Sequence, residues 1–125
     1  LCIVTSHRND GLELSDKGIK PLDEVTVIGF PRGLGKTVRK GRMVEEVVIK
    51  ADWLERIYTP SIMISALAYG GNSGSPILNN DGNVVGVLFA GSPAYHTETY
   101  IVPLRFLKAF LGEAVMGLRR PFYAR

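Results

Sequence analysis

Short apolar runs separated by Gly-, Pro- and Asn-rich turns dominate the pattern from residue 1 to residue 102. Runs of this length that are rich in β-branched residues predict strands, because branched side chains fit a pleated, half-buried surface. We expect strands near residues 1–5, 24–30, 37–50, 61–66, 76–79, 83–90 and 98–102. Strands at this spacing are typical of a closed antiparallel barrel.

The pattern changes after Pro103, where apolar residues recur at helical spacing. They are Leu104, Leu107, Leu111, Ala114, Val115 and Leu118. Side chains three or four positions apart share one face of a helix, so residues 104–117 are predicted to form an amphipathic helix laid on the barrel. The predicted fold class is all-β, a six- to seven-stranded antiparallel barrel with a C-terminal amphipathic helix.

Composition fits one globular domain: the 125 residues are 46% hydrophobic and 22% charged, with a net charge of +3. Cys2 is the only cysteine, so no disulfide can form within the chain. Metal-ligand spacing is absent, and we expect no metal or cofactor. Residues 57–80 carry no charge, but glycines and prolines interrupt them, so no membrane span is expected.

Two features of residues 32–42 suggest nucleic-acid or nucleotide binding. Basic residues cluster there: Arg32, Lys36, Arg39, Lys40 and Arg42. No aromatic residues lie among them to stack on bases, so we expect a solvated strand edge and no nucleic-acid partner. Gly33-Leu34-Gly35-Lys36-Thr37 ends like a phosphate-binding loop, but that motif requires glycine where Phe30 stands, and a strand is predicted where its helix should begin.

The hexapeptide Gly71-Asn72-Ser73-Gly74-Ser75-Pro76 has a chemical interpretation. A serine nucleophile needs a base to remove its proton and two donors for the oxyanion that forms on the substrate. The backbone amides of Gly71 and Ser73 are candidates for those donors, and glycine permits the peptide orientation that this requires. A turn of the same composition with no chemistry is the other interpretation.

Four ordered landmarks extend this interpretation over about a hundred residues. They are Val25–Pro31 with the following Gly33-Leu34-Gly35-x-Thr37-Val38, the hexapeptide, the hairpin Asn79–Gly82 with Val84–Gly91, and Tyr100-Ile101-Val102-Pro103. In this order they resemble the trypsin-like serine proteases, most closely the bacterial HtrA/Deg type. The first landmark is similar to that family's AIGNP motif followed by GLG-x-TV, and the last is similar to its FAIP motif. The resemblance implies that residues 1–125 are the second of two barrels, closed by helix 104–117.

The resemblance also assigns the chemistry. Ser73 is implied as the nucleophile, with the amides of Gly71 and Ser73 as the oxyanion hole. The family's catalytic aspartate immediately precedes a strand that Leu1–Val4 resembles, and its histidine lies in the first barrel, so both are implied upstream. His7 and His96 are not expected to replace that histidine, and the 125-residue chain alone is expected to be inactive. Asn72 replaces the aspartate that trypsin pairs with its newly formed N-terminus.

Substrate contacts follow from the same alignment. Phe89-Ala90-Gly91 corresponds to the strand that pairs with the substrate backbone. Glu98 and Tyr100 are expected on the face that lines the pocket for the residue before the scissile bond, where a carboxylate favours lysine or arginine. A register shift of one residue would send Glu98 to solvent and bring Thr97 or Thr99 inward instead.

The predicted function is therefore a serine endopeptidase that acts on polypeptides, with the catalytic histidine and aspartate supplied by the first barrel of the same protein. The alternative is a trypsin-like barrel without catalysis that serves as a binding or structural component. A histidine and an aspartate upstream of Leu1 would favour the enzyme, and their absence would favour the alternative.

Overall fold

A computed structural model describes residues 11–30, 35–50, 58–66, 72–92 and 98–119. The elements are β1 (Glu24–Gly29), β2 (Thr37–Lys50), β3 (Tyr58–Ile64), β4 (Pro76–Leu78), β5 (Val84–Gly91), β6 (Thr99–Pro103) and α1 (Leu104–Arg119). Six predicted strands are present within a few residues of their expected positions, and the helix extends two residues further than predicted. The strand predicted at residues 1–5 lies outside the described residues.

The six strands form a closed barrel in the order β1-β2-β3-β6-β5-β4. Every neighbouring pair is antiparallel, and the pairing of Thr26 and Val27 with Leu78 and Ile77 joins the first strand to the fourth and closes the barrel. Closure gives each strand a neighbour on both sides along part of its length. The predicted all-β antiparallel barrel with a C-terminal helix is confirmed.

Alternate residues of β1 and β6 are buried, as the two-residue period of a strand predicts. In β1 the buried residues are Val25, Val27 and Gly29, and in β6 they are Thr99, Ile101 and Pro103. The interior apolar cluster consists of Val25, Val27, Met43, Ile62, Ile64, Ala66, Ile77, Val85, Leu88 and Ile101. This single core holds the ends of β1, β5 and β6 in fixed relative positions.

Helix α1 covers part of the outer surface of the barrel. Leu107 is buried against Leu78 and Val84, and Leu111 packs at the edge of the same cluster. An exposed ion pair of 2.7 Å between Arg105 and Glu46 joins the first turn of α1 to β2. No helix in the described part of the chain is long and apolar enough to cross a membrane.

The predicted hairpin between β4 and β5 is present and is held by the side chain of Asn79. Its Oδ1 accepts hydrogen bonds of 3.0 Å from the amides of Asp81 and Asn83. Pro76 lies opposite Val87 in the resulting strand pair.

Between β1 and β2, the chain does not form the phosphate-binding motif. Strand β2 begins at Thr37, so a strand is present where that motif would need a helix.

Candidate active site

Ser73 lies at the corner of a tight turn that leads into β4. The amide of Ser75 donates a hydrogen bond of 3.0 Å to the carbonyl oxygen of Asn72, which closes the turn around Ser73 and Gly74. Gly74 has a φ of 88°, the positive value that the third position of a type II turn requires and that glycine adopts without strain. The turn leaves Ser73 exposed.

Two hydrogen bonds attach this turn to β5. The amide of Gly74 donates to the carbonyl oxygen of Leu88 over 2.7 Å, and the amide of Leu88 donates to the carbonyl oxygen of Ser75 over 3.0 Å. Leu88 is itself buried in the barrel core and lies opposite Ile101 of β6. The position of Ser73 is therefore fixed by the core of the barrel.

The amide of Ser73 forms no hydrogen bond with any other described residue. An amide that no protein group occupies, next to an exposed hydroxyl, can donate to an oxyanion. Gly71, the second predicted donor, lies outside the described residues. Ser73 can therefore supply both a nucleophilic oxygen, from its side chain, and one oxyanion donor, from its backbone amide.

Asn72, immediately before Ser73, is 2% exposed, and its Oδ1 has no hydrogen-bond partner among the described residues. A buried polar atom without a partner costs about 1–3 kcal/mol. Ser75 is also buried, at 7% exposed. The residues on either side of Ser73 and Gly74 thus point into the protein, while Ser73 itself faces solvent.

Strand β5 continues beyond the point where the turn is attached. On one side, Ala90 and Gly91 pair with β6, opposite Tyr100 and Thr99, after an irregularity at Phe89. On the other side, β4 pairs with β5 only from Val84 to Val87. Within the described part of the chain, no strand pairs with that second edge of Phe89–Gly91, next to the nucleophile turn.

Glu98 and Tyr100 lie on the same face at the start of β6. The Tyr100 hydroxyl donates a hydrogen bond of 3.3 Å to Glu98 Oε2. Thr99, between them, is fully buried on the opposite face, where its hydroxyl donates to the carbonyl oxygen of Ala66 over 2.6 Å. Thr99 therefore faces the barrel interior, and Thr97 lies outside the described residues.

The Tyr100 hydroxyl is the one titratable group in the described residues whose pKa is clearly shifted. Desolvation by burial raises this pKa above its usual value of 10.0, and Glu98 raises it further through its negative charge and by accepting the hydroxyl's hydrogen bond. Each of these causes favours the neutral phenol. The Tyr100 hydroxyl is therefore a hydrogen-bond donor to Glu98 at neutral pH.

The described residues contain no histidine, because His7 and His96, the two histidines of the chain, lie outside them. No group of three His, Cys, Asp or Glu side chains in the described part of the chain could hold a metal ion. The basic residues at 36–42 lie along the first half of β2, where Arg42 forms an exposed ion pair of 3.1 Å with Glu24.

Sequence reasoning did not assign any role at the site to Leu88 or Gly29. Leu88 forms hydrogen bonds with the nucleophile turn through its backbone, and backbone hydrogen bonds of this kind do not depend on the residue type that the sequence shows. Gly29, the last residue of β1, lies against the side chains of Asn72 and Ser75. In the sequence it is a glycine at the end of an apolar run and part of the landmark Val25–Pro31, and neither feature indicates a contact with the turn at Ser73.

Comparisons with known proteins identify the family and the fold. A family model for the trypsin-like peptidase domain matches residues 3–87, more than half of the chain. The fold is similar to that of a serine-to-alanine mutant of Rv3671c from M. tuberculosis in its inactive form, with a TM-score of 0.73 and 21% identity over 88% of this chain and 55% of that one.

Two further solved structures share the fold. One is the HtrA-type protease AlgW with a decapeptide, with a TM-score of 0.69 and 23% identity over 84% of this chain and 33% of that one. The other is a serine endoprotease from Yersinia pestis, with a TM-score of 0.65 and 18% identity over 82% of this chain and 34% of that one. The chain spans about half the length of the Rv3671c structure and about a third of the other two. By its family match and its barrel, the chain belongs to the trypsin-like peptidase domain family.

Proposed function

We propose that this chain is the C-terminal barrel of a serine endopeptidase, residues 1–125 with the closing helix at 104–117, and that Ser73 is its nucleophile. Family membership and fold support serine protease function in general. The observation that carries the finer proposal is the turn at Ser73, where an exposed hydroxyl adjoins an amide that no described residue occupies. The turn is anchored at Leu88, beside an open strand edge.

The reaction begins when a base removes the proton from Ser73 Oγ. The oxygen attacks the carbonyl carbon of the scissile peptide bond, and the carbonyl oxygen becomes an oxyanion that accepts hydrogen bonds from the amides of Ser73 and Gly71. Collapse of this intermediate expels the amine, which takes the proton from the base, and water then hydrolyses the acyl-enzyme. We propose that the base is a histidine held by an aspartate, both in a first barrel upstream of Leu1.

The open edge of Phe89–Gly91 is proposed to bind the substrate backbone. An extended peptide can add to that edge as an antiparallel strand, with main-chain hydrogen bonds that tolerate many side chains. The edge begins one residue after Leu88, which bonds the nucleophile turn. A peptide paired with Ala90 and Gly91 is therefore led toward Ser73 by a strand that the core holds in place.

Glu98 is proposed to select the substrate residue before the scissile bond. Its carboxylate is partly buried and bonded to the Tyr100 hydroxyl, on the face of β6 opposite to the barrel interior. A cationic side chain that leaves water needs an anionic partner, so a carboxylate at this position favours lysine or arginine. Tyr100 orients the carboxylate by donating to one of its oxygens.

The proposal is tested by peptide cleavage with the full-length protein. Ser73→Ala is expected to abolish turnover while leaving the unfolding temperature nearly unchanged, since an exposed hydroxyl contributes little packing. The matched control is Ser65→Ala, at an exposed serine that bonds the backbone of Arg42 and takes no part in the proposed site. Turnover by the Ser73→Ala protein equal to that of the control would contradict the assignment of the nucleophile.

The alternative function is a trypsin-like barrel that binds a polypeptide without cleaving it. It shares the open edge at Phe89–Gly91 but needs no base for Ser73. An upstream sequence that lacks the histidine and the aspartate, together with unchanged peptide binding in Ser73→Ala, would favour this alternative.

A further inference from the structure

Gly29, at the end of β1, lies where the strand passes the nucleophile turn. A Cβ placed on Gly29 would lie 2.4 Å from Ser75 Oγ and 2.5 Å from Asn72 Oδ1. Both distances are far shorter than the van der Waals contact of roughly 3.5 Å between non-bonded heavy atoms. The side chains of Asn72 and Ser75 therefore occupy the space that any side chain at residue 29 would need.

These two side chains belong to the two ends of the turn. Asn72 and Ser75 are bonded to each other through their backbones, and Ser73 and Gly74 lie between them. Both side chains are buried, so a shift away from Gly29 would press them against the surrounding protein. A Cβ at residue 29 would therefore push on both ends of the turn that carries Ser73.

Packing holds the side-chain oxygen of Asn72 at this place, since no hydrogen bond from the described residues does. Its Oδ1 has no donor among them, so no such bond would restore its position after a displacement. Gly29 in contrast is held firmly. It pairs with Thr37 of β2, and the Thr37 hydroxyl donates to the Gly29 carbonyl oxygen over 3.2 Å. A side chain at residue 29 would therefore press on the ends of the turn while β1 stays paired with β2.

We propose that Gly29 is a positioning residue for Ser73. Because residue 29 has no side chain, the side chains of Asn72 and Ser75 can pack against β1. This packing sets the direction of the Ser73 hydroxyl and amide. This inference rests on the proposed function of Ser73 as the nucleophile. The requirement for glycine is steric and not conformational, because the backbone of Gly29 lies outside the left-handed region.

The test compares Gly29→Ala with Gly18→Ala in the full-length protein. Gly18 is exposed, also lies outside the left-handed region, and has no described atom within 4 Å of an added Cβ. A misplacement of about 1 Å costs on the order of a hundredfold in rate, so Gly29→Ala is expected to lower kcat and the rate of Ser73 labelling by a fluorophosphonate by roughly 10- to 100-fold. KM should stay close to its original value, because the edge at Phe89–Gly91 is intact.

Two further measurements separate positioning from simple instability. Backbone amide NMR signals of Ser73 and Gly74 should shift in Gly29→Ala and not in Gly18→Ala. The double variant Gly29→Ala with Ser75→Gly removes the nearer of the two clashing oxygens, so it should recover part of the lost kcat relative to Ser75→Gly alone. If Gly29→Ala does not fold, folding of the double variant supports the contact, and its kcat is then the test.

Wild-type kcat and labelling in Gly29→Ala would overturn the inference. So would a loss of kcat with unchanged amide signals at Ser73 and Gly74, or a double variant with no recovery. Failure of the proposed function is a separate outcome: turnover that survives Ser73→Ala removes the nucleophile assignment, while the amide signals still report whether residue 29 positions the turn.

Discussion

The amide of Gly74 donates a hydrogen bond of 2.7 Å to the carbonyl oxygen of Leu88, and the amide of Leu88 donates one of 3.0 Å to the carbonyl oxygen of Ser75. This reciprocal pair makes the turn at Ser73 and the strand β5 a single structural unit. Because Leu88 is buried in the barrel core, the unit is rigid at its base. The proposed nucleophile and the proposed docking edge are consequently positioned by the same strand.

The positive φ of Gly74 gives the first prediction. Gly74→Ala forces a side chain into the left-handed region and should lower the free energy of unfolding by about 1–2 kcal/mol. Gly82→Ala is the matched control, because Gly82 has a φ of 80° in the β4–β5 hairpin. Urea unfolding should show similar losses, whereas peptide cleavage should fall strongly only in Gly74→Ala. Equal loss of cleavage in both variants would argue against a special role of the turn.

The open edge of β5 gives the second prediction. A Cβ on Gly91 would lie 3.7 Å from the carbonyl oxygen of Glu98, an ordinary contact, so the fold has room for a Cβ there. Gly91→Val should raise KM or lower turnover by crowding the peptide that pairs with the edge. Fluorophosphonate labelling serves as the control, because this small probe does not use the edge. Unchanged KM and turnover would show that substrates dock elsewhere.

Glu98 gives the third prediction. Cleavage of peptide libraries by the full-length protein should show a preference for lysine or arginine before the scissile bond, and Glu98→Gln should reduce it by roughly tenfold to a hundredfold as the charge partner is lost. Glu46→Gln is the control, since Glu46 is an exposed glutamate paired with Arg105. A preference for small apolar residues that Glu98→Gln leaves untouched would remove Glu98 from the pocket.

The Tyr100 hydroxyl gives the fourth prediction. Its pKa should lie above 10.0 and should fall toward that value in Glu98→Gln, which removes the charge but keeps most of the burial. Because folding raises this pKa, Tyr100 contributes stability below its unfolded pKa, and that contribution is lost as the pH rises through the folded pKa. NMR titration of ¹³C-labelled tyrosine measures the shift. An identical Tyr100 pKa in Glu98→Gln would contradict the hydrogen bond.

The strands of the barrel were predictable because most of them contain apolar, β-branched runs that end at turn residues. The start of β3 was not: the prediction began at residue 61, whereas the strand begins at Tyr58 and includes Pro60. Pro60 pairs with Val48 of β2, while the pairing with β6 starts only at Ile62. Proline is tolerated there because that part of β3 has a partner on one side only.

The candidate site was predictable where chemistry depends on residue type. Ser73 and its glycines follow from the hexapeptide, and the edge at Gly91 follows from the order of the family's motifs. The anchoring of the turn was not predictable, because the backbone bonds to Leu88 and the packing of Asn72 on Gly29 join residues far apart in sequence. No local pattern specifies such contacts.

The most direct test of the account is to locate the adduct after treating the full-length protein with a fluorophosphonate probe. The account predicts labelling on Ser73, identified by peptide mass spectrometry, and no labelling of the isolated 125-residue chain under the same conditions, because the proposed base lies upstream of Leu1. Labelling of the isolated chain at Ser73, or an unlabelled full-length protein that still cleaves peptides, would contradict it.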